Sequence, residues 1–166
     1  MLNEKIERIR APYVASERDM LNTWLDYHRV TLLQKISGLS DEDARRQTVP
    51  PSTLSLLSLV KHLAYVERWW FQAVFEGKSE DELYFPEDDL QLEPEDTVDS
   101  MVALYREEIE KSRQIVARYD FDDLSKLPER PGISLRWVVS HMIEEVARHN
   151  GHADLLRELT DGVTGE

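Results

Sequence analysis

The sequence predicts an all-α fold, a four-helix bundle in which a long crossover loop joins the second and third helices. Three observations support this prediction. Apolar residues recur at three- and four-residue spacing in four long stretches, the periodicity of amphipathic helices. The 6 glycines and 7 prolines lie mostly between these stretches. No segment alternates apolar and polar residues over the length of a strand.

The bounds of the first two long helices are predicted from capping residues at their starts and glycines at their ends. The first predicted helix covers about Ser16–Ser37, with a serine at its start and Gly38 as its stop. A short helical turn follows at Ser40–Arg45. The second helix covers about Thr53–Glu76 and ends before Gly77. Each long helix carries one apolar stripe, so both are expected to pack against the others.

The third and fourth helices cover about Thr97–Tyr119 and Ser134–Leu159. The second and third helices are separated by an acidic segment, Glu80–Asp96. A loop of roughly twenty residues is uncommon in a compact domain, but it suits a connection that runs the length of a bundle. We expect its acidic side chains to be solvated.

Composition limits the possible functions. The 166 residues suffice for one domain, predicted to span residues 1–166. The net charge of −13 disfavours nucleic acid as a partner. The absence of cysteine excludes disulfides, cysteine-ligated zinc, Fe–S clusters and a cysteine nucleophile. There is no apolar run of membrane-span length and the N-terminus is charged, which predicts a cytoplasmic protein without a membrane partner.

The fourth helix carries a column of polar side chains. Taking His141 as zero, a rotation of about 100° per residue places Glu145 at about 40° and His149 at about 80°. His152 falls at about 20°, so all four side chains project from one side of the helix. Core positions such as Val138 share this side. Buried carboxylates and imidazoles need partners, and a shared cation would satisfy them.

A metal site is the predicted solution. Glu145 and His149, one helical turn apart, form the natural chelating pair. A catalytic zinc site has three protein ligands and an open position, so the third ligand must come from another helix. His62 on the second helix is the strongest candidate, and His28 on the first is its competitor. Two histidines and one glutamate suit zinc, and also nickel, manganese or iron. His152 has three open roles: a further ligand, a group bonded to a ligand, or a substrate contact.

Simpler roles are preferred for other residues. A lone histidine on an apolar stripe is usually structural, which is our preferred interpretation of His28. The aromatic cluster Trp69–Phe71 is expected to serve packing. Glu144 is turned away from the polar column by about 100°, so it is a poor candidate for a general base.

Two segments carry a resemblance to a known family, VKHLAYVERWWF in the second helix and RWVVSHMIEEVARHNGHADLLRE in the fourth. They resemble the DinB superfamily (DinB/YfiT-like metalloenzymes), and are most similar to its uncharacterised actinobacterial branch. The segment GLSDEDARR also fits that branch. The resemblance extends from about Glu17 to Glu158.

The resemblance implies a ligand set. Many members of the superfamily bind a divalent metal through three histidines, one from the second helix and two from an H-x-x-x-H pair on the fourth. In this sequence Glu145 replaces the first histidine of that pair. The related mycothiol-dependent maleylpyruvate isomerases are similar in using His, Glu and His. The implied ligands are therefore His62, Glu145 and His149.

The resemblance also implies thiol chemistry. Several relatives are S-transferases that use mycothiol, bacillithiol or glutathione. A metal cation stabilises a bound thiolate, and because the chain has no cysteine the sulfur must come from outside. His152, Arg148 and Arg136 are candidate residues for binding the thiol cofactor. For Arg148 a surface ion pair is the favoured alternative.

The predicted function is thus a divalent-metal-dependent S-transferase, with zinc as the expected metal. It would join a mycothiol-type thiol to an electrophilic small molecule in detoxification or stress response. A metal-dependent hydrolase is one alternative, because an open metal position can also activate water. A non-catalytic, metal-stabilised binding module is the other. The resemblance also implies a homodimer.

Overall fold

A computed structural model describes residues 7–79 and 81–165 of the chain. The all-α prediction is confirmed: among the described residues the only β pairing is one isolated bridge between Leu124 and Ser134. A short helix, α2, joins the first two long helices. The helices are α1 (Glu17–Ile36), α2 (Asp41–Ala44), α3 (Leu56–Glu67), α4 (Val98–Arg118) and α5 (Leu135–Asp161).

Side-chain caps fix where the long helices begin. The Ser16 hydroxyl accepts a hydrogen bond from the backbone N–H of Asp19 at 3.1 Å, which starts α1 one residue later. Thr97 caps α4 and Ser134 caps α5 in the same way. The predicted start of the second helix was three residues early, because Ser55 is its cap and α3 begins at Leu56.

The second half of the predicted second helix is not α-helical. Residues Arg68–Phe75 form a π-helical segment that continues α3 directly. Within this segment Arg68 and Gln72 both donate hydrogen bonds to the carboxylate of Glu108 on α4, at 2.8 and 2.6 Å. The π-helical segment is therefore anchored to α4, and its wider turn changes the direction of the side chains that follow.

Contacts along the bundle show that α3 and α4 are parallel. Lys61 on α3 pairs with Asp96, just before α4, at 2.8 Å. At the other end, the ring of Phe75 lies 5.2 Å from the ring of Tyr119. The segment that joins Phe75 to Val98, called the crossover loop below, must therefore return along the whole bundle, as its length predicts.

The first and last helices are also parallel to each other, and α5 runs antiparallel to α3. Arg136 at the start of α5 pairs with Glu17 at the start of α1 at 2.8 Å. Trp70, beyond the end of α3, lies against Trp137 near the start of α5, with 5.1 Å between ring centres. The middle of α3 thereby faces the middle of α5, where the predicted ligands lie.

The core fills the space between the four long helices. Its largest fully buried side chains include Tyr105, Phe71 and Phe75. Trp24, which shares the apolar stripe predicted for α1, is 39% exposed and lies outside the core. Across the described residues, none of the helices combines the length and apolar character that crossing a membrane requires.

Candidate metal centre

Three predicted ligands converge between α3 and α5. Nε2 of His62 lies 3.5 Å from Oε1 of Glu145, and Nε2 of His149 lies 3.2 Å from the same oxygen. One ligand atom from each residue lies within 4.8 Å of those of the other two. Glu145 and His149 share a face of α5 because they are one turn apart, and His62 reaches them from the antiparallel α3.

The donor set fits a divalent cation. Two imidazole nitrogens and one carboxylate oxygen are the ligands of a catalytic zinc site, which keeps a further position open. All three side chains are half-buried, so solvent reaches the cluster from one side. In the part of the chain that the structure describes, both ion-pair partners of Glu145 are these histidines, and neither carries a permanent charge.

The two histidines have opposite electrostatic biases. Burial opposes the charged form of His62, but the hydrogen bond and charge of Asp89, followed by those of Glu145, raise its pKa above the usual range. Burial lowers the pKa of His149, and the nearby His62 adds to this effect. These shifts favour the neutral, metal-ligating form of His149, whereas at His62 they favour a proton that would compete with a metal ion.

A carboxylate from the crossover loop touches His62 on its other side. Oδ1 of Asp89 lies 2.9 Å from Nδ1 of His62, the nitrogen that faces away from Glu145. A carboxylate at this position orients a ligating imidazole and leaves Nε2 available for the metal. Asp89 was not among the predicted site residues, because the acidic loop was expected to be solvated. The available signal was that a crossover loop has to pass beside α3.

His152 contacts a ligand rather than joining the three. Its Nδ1 lies 3.3 Å from Nδ1 of His149, the nitrogen opposite the one that faces Glu145. Of the three roles left open by the sequence, this geometry favours a group bonded to a ligand. Its predicted role in binding a thiol cofactor stays a prediction.

Comparison with protein families decides the classification. The family model described as mycothiol-S-transferase matches residues 20–162, which include all three predicted ligands. The chain belongs to the mycothiol-S-transferase family. This family lies within the DinB/YfiT-like superfamily, so the resemblance found in the sequence is confirmed.

A solved structure supports the fold of this family member. It is a conserved protein from Enterococcus faecalis, similar with a TM-score of 0.67 over 90% of this chain and 100% of that chain. The two sequences are 12% identical, so the likeness concerns the fold alone. Comparison with curated proteins gives no match.

His141, the first residue of the polar column, does not join the three predicted ligands. Its ring stacks on Trp137 at 4.9 Å and meets Trp70 edge-on at 4.7 Å. Its Nδ1 lies 3.2 Å from the carboxylate of Glu144. The helical phase is as predicted, but the residue that faces His141 from the π-helical segment is a tryptophan instead of a ligand.

His28 is held by packing. Its ring lies nearly parallel to Trp24 at 6.0 Å and edge-on to Tyr27 at 5.6 Å, and burial lowers its pKa. Its backbone carbonyl accepts a hydrogen bond from the side chain of Asn150 on α5. These contacts agree with the structural role preferred for His28.

The two arginines predicted to bind a thiol cofactor lie in different places. Arg136 pairs with Glu17 and Asp122 at the start of α5. It precedes Glu145 by nine residues, about 13 Å along the helix, so the structure does not bring it to the metal centre. Arg148 is exposed beside His149, and within the described ranges it forms no ion pair. The surface ion pair favoured for Arg148 is therefore not found there.

One large cavity of the bundle lies away from the candidate metal centre. A cavity of about 530 Å³ opens between α1 and α4, lined by several arginines that already have partners. Among them, Arg113 pairs with Asp26 and Arg18 donates to the backbone carbonyl of Val116. None of the three predicted ligands lines this cavity.

Proposed function

We propose that this chain is a divalent-metal-dependent S-transferase that joins a low-molecular-weight thiol of the mycothiol type to an electrophilic small molecule. One observation carries the proposal: ligand atoms of His62, Glu145 and His149 lie within 4.8 Å of one another in a member of the mycothiol-S-transferase family. The chain has no cysteine, so its role is to activate a thiol that it does not supply.

The chemistry needs a thiolate at neutral pH. A bound divalent cation lowers the pKa of a thiol that coordinates it. The thiol proton leaves to solvent, and the sulfur uses its electron pair to form a bond to the electrophilic carbon. The bond from that carbon to the leaving group breaks, and its electron pair departs with the leaving group. In an epoxide the C–O bond breaks, and the oxygen keeps the electron pair, stays on the neighbouring carbon and takes a proton from solvent. No oxidant or reductant takes part.

The side chains of this chain hold and orient the site. Glu145 and His149 present two ligand atoms from one helix, and His62 presents the third from α3. Asp89 fixes the ring of His62, and His152 touches the far nitrogen of His149. Arg148, which is exposed, is proposed as a polar anchor for the thiol.

We propose zinc as the resident metal because two imidazoles and a carboxylate with an open position form a known catalytic zinc site. Nickel, manganese and iron also accept this donor set. The cytoplasmic location and the homodimer stay predictions. Sedimentation of the purified protein with and without Zn²⁺ would test the homodimer.

The test is a conjugation assay with matched variants. Protein freed of metal by a chelator and then reloaded with Zn²⁺ is mixed with mycothiol and 1-chloro-2,4-dinitrobenzene, and the conjugate is measured. We expect activity in the wild type and in His141→Ala, and loss of activity in His149→Ala and in the metal-free protein. Metal uptake without thiol-dependent turnover of any electrophile tried would contradict the proposal and favour the non-catalytic binding module.

A further inference from the structure

We propose that a small aromatic cavity beside the metal centre binds the electrophile, and that it selects a flat, uncharged aromatic ring. The cavity measures about 280 Å³ and lies between α3, the π-helical segment and the crossover loop. It is lined by Tyr65, Val66, Trp69, Phe85 and Asp89. The inference rests on the proposed function, since it names the class of substrate for the same site.

Aromatic side chains form most of the cavity wall. The ring of Phe85, from the crossover loop, meets Trp69 edge-on at 5.8 Å and lies 6.3 Å from Tyr65. Offset and edge-to-face arrangements are the geometry in which aromatic rings attract each other. A flat ring entering between these walls would gain the same contacts. The volume is near the lower end for ligand pockets, which suits a molecule of one or two rings.

None of the three predicted ligands lines the cavity, but two of its wall residues connect it to His62. Val66 follows His62 by one turn on the same face of α3, and Asp89 belongs both to the cavity wall and to the hydrogen bond with His62. A ring bound in the cavity would therefore be separated by Asp89 and Val66 from His62, a predicted ligand of the metal that would hold the thiol. Placing both reactants side by side is what accelerates a two-substrate reaction.

The charge of the wall argues for a neutral ring. Asp89 is the single charged residue among those that line the cavity, and its carboxylate is already engaged by His62. Arg68 lies over the ring of Tyr65 at 5.0 Å, but it is held by Glu108 at 2.8 Å. The described residues of the wall include no positive charge, so a substrate carboxylate would find no counter-charge among them.

The experiment compares three electrophiles with mycothiol and the Zn²⁺-loaded protein. One is 1-chloro-2,4-dinitrobenzene, where sulfur bonds to the ring carbon and chloride leaves with the C–Cl electron pair. The second, 4-chloro-3,5-dinitrobenzoate, adds a carboxylate to such a ring, and the third, iodoacetamide, has no ring. In Trp69→Leu we expect kcat/KM to fall about tenfold for the neutral ring and to stay within about twofold for iodoacetamide. The carboxylate-bearing ring should be the poorer aromatic substrate of the wild type.

Two further variants control for misfolding and for the loss of an aromatic ring outside the cavity. Phe85→Ser changes a loop residue, so it should fold normally and show the same selective loss. Trp137→Leu removes an aromatic ring near the start of α5 that does not line the cavity, and should leave the preference unchanged. An equal loss in Trp137→Leu, or equal losses for the neutral ring and iodoacetamide in Trp69→Leu, would overturn the inference.

A binding measurement separates this inference from the proposed function. 1,3-Dinitrobenzene, which has no leaving chloride, is titrated into the metal-free protein and followed by calorimetry. We expect binding to the wild type and about tenfold weaker binding to Trp69→Leu. If the ring binds selectively but no electrophile is conjugated, the proposed function fails and the cavity assignment stands. If conjugation occurs but the ring does not bind, or binds both proteins equally, the cavity assignment fails.

Discussion

Two clusters of polar side chains, one buried and one half-buried, link α3 to its neighbours, and their charges are balanced in different ways. Arg29 of α1 and Glu67 of α3 form a two-pronged ion pair at 2.7 and 2.6 Å, and are 3% and 0% exposed. His62, Glu145 and His149 instead bring together three candidate ligand atoms, and none of these side chains carries a permanent positive charge. We call the first cluster closed, because Arg29 neutralises Glu67. We call the second cluster open, because it is suited to a cation that the chain does not supply.

This difference identifies the functional cluster better than burial does. Glu108 is a second closed case: it is fully buried, yet Arg68, Lys111 and Gln72 all donate to it. Glu145 is less buried than either carboxylate, and it is the one whose ion-pair partners are the histidines predicted to bind the metal with it. A carboxylate that lacks a permanent counter-charge, rather than a deeply buried one, marks the candidate site.

The largest expected effect concerns the closed cluster. Arg29→Met leaves Glu67 buried without a counter-charge, and breaking such a pair lowers the free energy of unfolding by about 3–5 kcal/mol. Urea unfolding measures this change. The matched control is Arg113→Met, because Arg113, like Arg29, pairs with Asp26 but is 47% exposed. Its loss should lower the free energy of unfolding by no more than about 1 kcal/mol. Equal effects of the two variants would remove the distinction between the clusters.

The second effect concerns the open cluster. His149→Ala deletes a predicted ligand. The affinity for Zn²⁺ should therefore fall by more than the ~100-fold that is the upper range for mutating residues hydrogen-bonded to a ligand. The unfolding free energy of the metal-free protein should change far less than in Arg29→Met. His141→Ala is the control on the same helix face, and calorimetry with Zn²⁺ should find its affinity unchanged. Unaltered Zn²⁺ binding in His149→Ala would show that the ligand assignment is wrong.

The third effect tests the loop carboxylate. Asp89→Asn weakens the hydrogen bond that orients His62, and should lower Zn²⁺ affinity by about 10–100-fold. Asp88→Asn removes the neighbouring exposed carboxylate and should not alter affinity. A similar small loss in both variants would point to the charge of the loop alone, and Asp89 would have no orienting role.

The smallest effect is the pH dependence of the stability that Glu108, the second closed case, contributes. Burial opposes ionisation of Glu108, but hydrogen bonds from Arg68 and Lys111 outweigh it and lower the pKa of this carboxyl group. Its stabilising contribution is therefore complete above the unfolded pKa, about 4.3 for glutamate, and is lost as pH falls through the lower folded pKa. Unfolding in urea from pH 7 to pH 3 should show the stability gap between wild type and Glu108→Gln shrinking in acid. A gap that stays constant would contradict the shift.

The helices and the convergence of the three candidate ligands could be predicted from the sequence, because both depend on local spacing. The i, i+4 pair on α5 needs only helix geometry, and His62 needs only a neighbouring helix with its apolar face turned inward. Arg136 was predicted to bind the thiol from its residue type alone. The structure puts it at the start of α5, where it pairs with Glu17.

The missed features depend on contacts distant in sequence. The π-helical segment was not predicted because the apolar pattern around Trp70 fits an α-helix as well. Asp89 was missed because the path of the crossover loop is set by the parallel packing of α3 and α4, which no local motif encodes. His141 shares the phase of the ligands, but the residue across from it, Trp70, is fixed only by the packing of two helices.

The most direct test of the open cluster is the absorption spectrum of the Co²⁺-loaded protein during titration with mycothiol. Because the chain has no cysteine, any thiolate-to-cobalt absorption must come from the added thiol. We expect the wild type and His141→Ala to take up Co²⁺ and to gain this absorption, and His149→Ala to show neither. Failure of the wild type to bind Co²⁺, or a spectrum that saturating mycothiol leaves unchanged, would contradict a thiol-binding metal centre formed by His62, Glu145 and His149.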